Sequence, residues 1–147
     1  MSETFDQGLA TRREVVGDEH VSRSMAAHPL ALPLQELLTE YAWGRVWTRP
    51  ALPRQTRSLI TVAMLTAGRH HEELRVHVQG ALRNGCSPEE IAEVVLHSAI
   101  YCGVPTALEA MRVVTAAIDA TPTESAAPLT RSGRSQGPGR RAGRRRT

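Results

Sequence analysis

Cysteine, aromatic side chains and long apolar runs are all scarce in this chain of 147 residues. Two cysteines, Cys86 and Cys102, cannot build a disulfide scaffold, and their spacing matches neither a CxxC redox pair nor a zinc finger. The charge-free stretch Ser58–Gly68 reaches about half the length that a membrane-spanning helix needs. The opening residues, MSETFDQGLATRREVV, carry no basic flank ahead of an apolar core, so no secretory signal is expected. These absences lead to the expectation of a cytoplasmic protein with free thiols and no membrane contact. Aromatics make up only 3% of the chain, so Tyr41, Trp43, Trp47 and Tyr101 each call for an explanation.

Lysine is missing altogether: all 18 basic residues are arginine. Seven of them, from Arg131 to Arg146, follow residue 130, where no acid occurs. Over residues 1–124, 11 arginines stand against 15 acids, a difference of −4. The basic character of the whole chain therefore belongs to its end, and a uniformly basic nucleic-acid-binding domain is not expected. From Pro122 onward the chain is Thr, Ser, Ala, Pro, Gly and Arg apart from Glu124, Gln136 and a single larger apolar residue, Leu129. Such a segment cannot bury enough surface to offset its ordering entropy. Residues 122–147 are expected to form a disordered, solvated, dispensable tail behind a domain spanning residues 1–121.

Every periodic segment of that domain reads as helix, and no β-branched alternation predicts a sheet. A first helix spans 7–16 and stops at Gly17; Pro33 then opens a second that runs to about Gly44. Val46–Pro53, with two prolines, reads as a loop. Gln55–Ala67 and His70–Asn84 follow, the latter ended by Gly85. Ser87-Pro88-Glu89-Glu90 is a capping box with proline at the first helical position, opening a helix to about Cys102. Gly103-Val104-Pro105 breaks it, and a last helix covers Thr106–Ala120. The fold class is all-α, a bundle of about six helices. Ser58–Gly68 and VVLHSAIYC are apolar on nearly every side, more than a domain this small can hide. A homo-oligomer is the expected resolution.

Helical geometry brings Glu73 and His77 together at the edge of the buried face of their helix, with His70 nearby and Gly80 leaving room for an approaching group. Glu72, Arg75, Gln79 and Arg83 face the other way, toward solvent. A carboxylate and an imidazole at i,i+4 beside an apolar surface form an acid–base pair with tunable pKa values, or simply a boundary ion pair. His71-Glu72 begins like HExxH, but Arg75 occupies the position of the second histidine, and no other spacing specifies a metal site. His97 shares a helix side with Tyr101, either as packed core or as pocket donors. Arg45, Arg49, Arg54 and Arg57 cluster between Trp47 and the next helix. That cluster reads as a solvated surface or as a site whose guanidinium forks hold a small polyanion, with Trp43 and Trp47 as its wall.

The strings RREVVGDEHVSRS (12–24), LLTEYAWGRVWTRPALPRQTRSLITVAML (37–65) and EELRVHVQGALRNGCSPEEIAEVVLHSAIYCGVP (72–105) resemble one family closely. It is the family of carboxymuconolactone decarboxylases and alkyl hydroperoxidase D-like proteins, and the blocks are most similar to its decarboxylase branch. The resemblance implies a helical subunit, a homo-oligomer (typically a hexamer) and no metal or organic cofactor. It implies decarboxylation of 4-carboxymuconolactone to the β-ketoadipate enol-lactone and CO2, within protocatechuate catabolism. The peroxidase branch carries CxxCxxxH where this chain has His70-x-x-Glu73-x-x-x-His77, so disulfide-based peroxidase chemistry is excluded. The same resemblance implies His77 and Glu73 as catalytic residues and Arg57 and Arg49 as carboxylate anchors. His97, Tyr101 and Trp47 would line the pocket, the first two either within one subunit or across a subunit boundary. Two other functions fit the same residues: a non-catalytic module that binds a small anion, and a lyase or isomerase of a different lactone.

Overall fold

Ser2 accepts a hydrogen bond from the backbone N–H of Phe5 at 3.1 Å and so opens α1, Glu3–Val16. The computed structural model describes residues 2–121; the expected tail, 122–147, lies outside the described residues. Gly17, at φ +92°, ends α1 where its position in the sequence predicts, and a second short helix starts at once: α2, Asp18–Met25. Periodicity does not reveal α2, because Val21 is its one buried residue. A 3-10 turn at Pro29–Ala31 leads into α3, Leu32–Leu38, with Pro33 in its first turn as expected.

Helix α3 does not stop at Gly44. It widens into a π-helical segment, Thr39–Trp47, which takes in residues expected to be loop. Four longer helices complete the bundle: α4, Arg54–Gly68; α5, His71–Arg83; α6, Pro88–Cys102; and α7, Val104–Asp119. The described residues thus form seven helices rather than six, with no strand. The capping box at α6 is complete. Ser87 Oγ accepts from the Glu90 N–H at 3.1 Å, and Glu90 Oε2 accepts from the Ser87 N–H at 2.8 Å. Gly85 and Gly103 both take positive φ at the turns where the sequence places them.

Two cores share α5 as a common wall. Leu74, Val78 and Ala81 of α5 pack with Val62 of α4, Ile91 and Val95 of α6, and a row of small residues on α7 (Ala107, Ala110, Ala117). On its other side, Val76 meets Val15, Val16, Val21, Trp43 and Trp47 of the N-terminal elements. Gly80 serves this second contact. A Cβ there would stand 3.0 Å from the backbone carbonyl of Val15, so the space expected for a ligand is taken by α1. Arg83, expected in solvent, reaches back to donate to the same Val15 carbonyl at 3.3 Å.

The apolar helices α4 and α6 bury only one side within the chain. Val62 and Thr66 are fully buried on α4, yet Met64 is 68% exposed; on α6, Ile91 and Val95 are buried while Ile100 is 79% exposed. Leu34, Leu37 and Tyr41 are exposed in the same way on α3 and the π segment. No described helix is long and apolar enough to cross a membrane.

Candidate functional site

The π segment fixes the wall of the site. It stacks Trp43 on Trp47 with ring centroids 4.8 Å apart. It also sets Trp43 parallel to the His77 imidazole at 6.0 Å, and Trp47 lies 6.3 Å from the same ring. His77 rises from α5 into a cleft of about 370 Å³. Arg12 and Val16 of α1, His20 and Ser24 of α2, Gln35 and Leu38 of α3, and Trp43 close one side; Glu72, Glu73, Arg75, Val76 and His77 of α5 close the other.

Burial pushes the His77 imidazole down from 6.5 to about 4; His20 adds to the effect and Glu73 opposes it. At neutral pH His77 is therefore neutral, with one N–H to donate and one nitrogen to accept. The consequence for stability has a definite sign. As pH falls from 6.5 toward 4, the unfolded chain takes up a proton that the folded chain refuses, so stability present above 6.5 is lost on acidification. Denaturant titrations across that window should show a loss of up to about 3 kcal/mol that is missing in His77→Gln. Equal losses in both proteins would place the titration elsewhere.

Arg12 is only 3% exposed. Its Nη1 donates to Thr39 Oγ1 at 3.0 Å and its Nη2 to Gln35 Oε1 at 2.8 Å. Both acceptors are neutral, and among the described residues no carboxylate pairs with it. Burial draws its pKa below the usual arginine value, but a guanidinium keeps its charge at neutral pH. The His20 pKa is lowered first by burial and then by repulsion from Arg12, Arg23, Arg75 and Arg83, so His20 sits in a positive field that both walls of the cleft supply.

The residues expected from the sequence divide between two regions. His77 and Glu73 both line the cleft, though Glu73 is exposed and makes no hydrogen bond or ion pair among the described residues. Glu72 and Arg75, expected in open solvent, form the rim of the same cleft and pair with each other at 3.3 Å. Trp47 backs Trp43 and does not itself line the wall. Arg57 and Arg49 do not border the cleft within one chain. Arg57 Nη2 donates to the Arg49 carbonyl at 2.9 Å, its Nε is buried without a partner, and the Arg49 side chain is exposed. Arg54 is spent on Glu14 at 2.7 Å and Arg45 on Glu40 at 3.8 Å.

His97 and Tyr101 lie with rings 5.1 Å apart on the exposed apolar face of α6, away from the cleft lining. No group of three or more His, Cys, Asp or Glu able to hold a metal occurs among the described residues. Cys86 is buried, with Sγ 3.6 Å from the Gln55 carbonyl, and burial raises its pKa, which removes thiolate character. Sequence reasoning overlooked Arg12, His20 and Gln35. One signal was available: Phe5, Gly8, Arg12, Val15 and Val16 follow helical spacing, which sets an arginine inside a buried stripe.

The model of the carboxymuconolactone decarboxylase family matches residues 33–116, more than half of the chain. The chain belongs to this family. Among the relatives of this carboxymuconolactone decarboxylase family member is nitrosuccinic acid decarboxylase npaB of Metarhizium robertsii. It is 46% identical over 110 residues, which cover 74% of this chain and 77% of that protein. A second is 4-carboxymuconolactone decarboxylase of Acinetobacter baylyi, 41% identical over 110 residues, 74% of this chain and 82% of that one. The seven-helix bundle is consistent with the alkyl hydroperoxidase D-like fold of the family. Decarboxylation is the activity that membership carries, since both relatives are named as decarboxylases.

Proposed function

We propose that this protein decarboxylates 4-carboxymuconolactone to the β-ketoadipate enol-lactone and CO2 without a cofactor. The observation that carries the reading is a histidine held neutral against a tryptophan wall, in a cleft whose opposite side is cationic. The substrate is a butenolide with one carboxylate on the ring carbon next to its double bond. When that carbon–carbon bond breaks, its electron pair enters the ring, runs through the double bond and settles on the lactone oxygen. Protonation of the ring carbon beside the carbonyl then completes the product. Because the ring is its own electron sink, the protein has to bind the dianion, stabilise the oxygen and supply one proton.

In this reading the neutral His77 donates its N–H to the oxygen where charge collects. Glu73, one turn earlier at the mouth of the cleft, relays a proton from solvent. The apolar face of Trp43 favours departing CO2 over a carboxylate. A second substrate has support from the Metarhizium robertsii relative. In nitrosuccinate the electrons released with CO2 settle on nitro oxygens, which makes the same demand of the site. Assaying both compounds side by side, with product identification by NMR, tests the proposal. Turnover of 4-carboxymuconolactone at the higher kcat/KM is the expected result. Turnover of nitrosuccinate alone would transfer the reading to that acid.

The exposed apolar faces of α3 and α6 support a homo-oligomer, a hexamer by family resemblance, in which His97 and Tyr101 meet a neighbouring subunit. Sedimentation of the full chain as a monomer would contradict this assembly.

A further inference from the structure

We infer that Arg12 anchors the carboxylate that the substrate keeps, and that the site therefore selects acids built on a succinate-like unit. This rests on the decarboxylase reading and names the class of substrate. Arg12 lies ahead of residues 33–116, so α1 adds to the segment matched by the family model a cation which that segment does not contain. A buried charge with no counter-ion is strongly unfavourable, and a fold usually neutralises it with a carboxylate. Here an amide and a hydroxyl do the bracing instead: Gln35 at 2.8 Å and Thr39 at 3.0 Å. They orient the guanidinium without quenching it, and it has more N–H donors than these two bonds use.

The other cation in the lining, Arg75, is exposed at the rim and already shares its charge with Glu72 at 3.3 Å. Arg12 is thus the deep anion site. The two acids named for the relatives share one feature that fits it. Each carries a CH2–COO⁻ arm on the carbon that loses CO2, so the two carboxylates stand as they do in succinate. With the retained arm on Arg12, the leaving carboxylate and the electron acceptor extend along the cleft toward Trp43 and His77, which line the same cavity. The arm decides which acids enter, and the acceptor decides which of them react.

Both tryptophans flank the site, so intrinsic fluorescence of the full chain reports its occupancy. Titration with succinate and with propanoate, which lacks the second carboxylate, tests the anchor directly. The parent should bind succinate at least roughly 10-fold more tightly than propanoate. Arg12→Met should erase that preference. Gln35→Glu should erase it as well, because it sets a carboxylate on the guanidinium in place of the ligand while keeping side-chain size and the fold. A purely structural Arg12 predicts unchanged succinate binding in Gln35→Glu, and that result, in a protein with parental circular dichroism, overturns the inference. A parent that does not distinguish succinate from propanoate overturns it too. Since the readout is binding, failure to turn over 4-carboxymuconolactone would remove the proposed reaction and leave this anchor standing.

Discussion

His77→Leu should lower the decarboxylation rate by roughly 100- to 1000-fold, the usual cost of removing a donor aimed at developing negative charge. KM should change little, because the lost bond forms only as charge moves onto the substrate oxygen. Helical content and assembly at neutral pH should stay near those of the parent. The imidazole spends no described hydrogen bond on the fold; it is held by stacking on Trp43 and Trp47. Single-turnover kinetics alongside circular dichroism separate the two roles. If rate and folded fraction fall together, His77 is a packing residue and the chemistry lies elsewhere in the cleft.

Gly8→Ala should destabilise the protein by about 3 kcal/mol and lower the melting temperature by roughly 10 °C. At this position α1 crosses the π segment backbone to backbone. A Cβ on Gly8 would collide with the Thr39 carbonyl and would sit 2.7 Å from the Gly44 nitrogen. Relief is not available from the other side, since Gly44 is packed just as closely: a Cβ there would meet the Thr4 carbonyl and would stand 2.9 Å from Thr4 Cγ2. Neither neighbour is the end of a flexible side chain, so α1 itself must lift. Arg12 and Trp43 would lose their register across the cleft, and succinate binding should weaken along with stability. Gly80→Ala makes a graded comparison. Its Cβ would meet the Val15 carbonyl oxygen at 3.0 Å and Val15 Cγ1 at 3.3 Å, which a shift of a few tenths of an ångström relieves, and should cost less. Thermal melts of the two variants check the order, and a Gly8→Ala melt equal to the parent would mean that the crossing is loose.

Much of the scaffold was legible in the residues. Ser87 to Glu90 announced a helix start by local hydrogen bonding alone, and the structure contains both bonds. Gly17, Gly85 and Gly103 marked turns because each needs a positive φ that other residues resist. What stayed hidden depends on tertiary contact. Helix α2 has one buried residue and owes its place to packing rather than periodicity. The π segment has no local signature, since a helix widens only where its neighbours demand it, here against Gly8 and the Thr4 carbonyl. Of the arginines between Trp47 and α4, Arg57 donates to the Arg49 carbonyl and Arg54 pairs with Glu14, and none of them borders the cleft within one chain. The buried cation of the cleft is Arg12, which was inconspicuous because it sits inside an apolar stripe.

In the proposed reaction this cleft accelerates loss of CO2 with nothing but its own side chains and the electron sink of the substrate. The most direct test is CO2 release from freshly generated 4-carboxymuconolactone, with and without the purified full chain, in the presence of EDTA. Acceleration that survives the chelator is the predicted result. A folded protein that fails to accelerate release, or one that does so only until EDTA is added, would contradict the account.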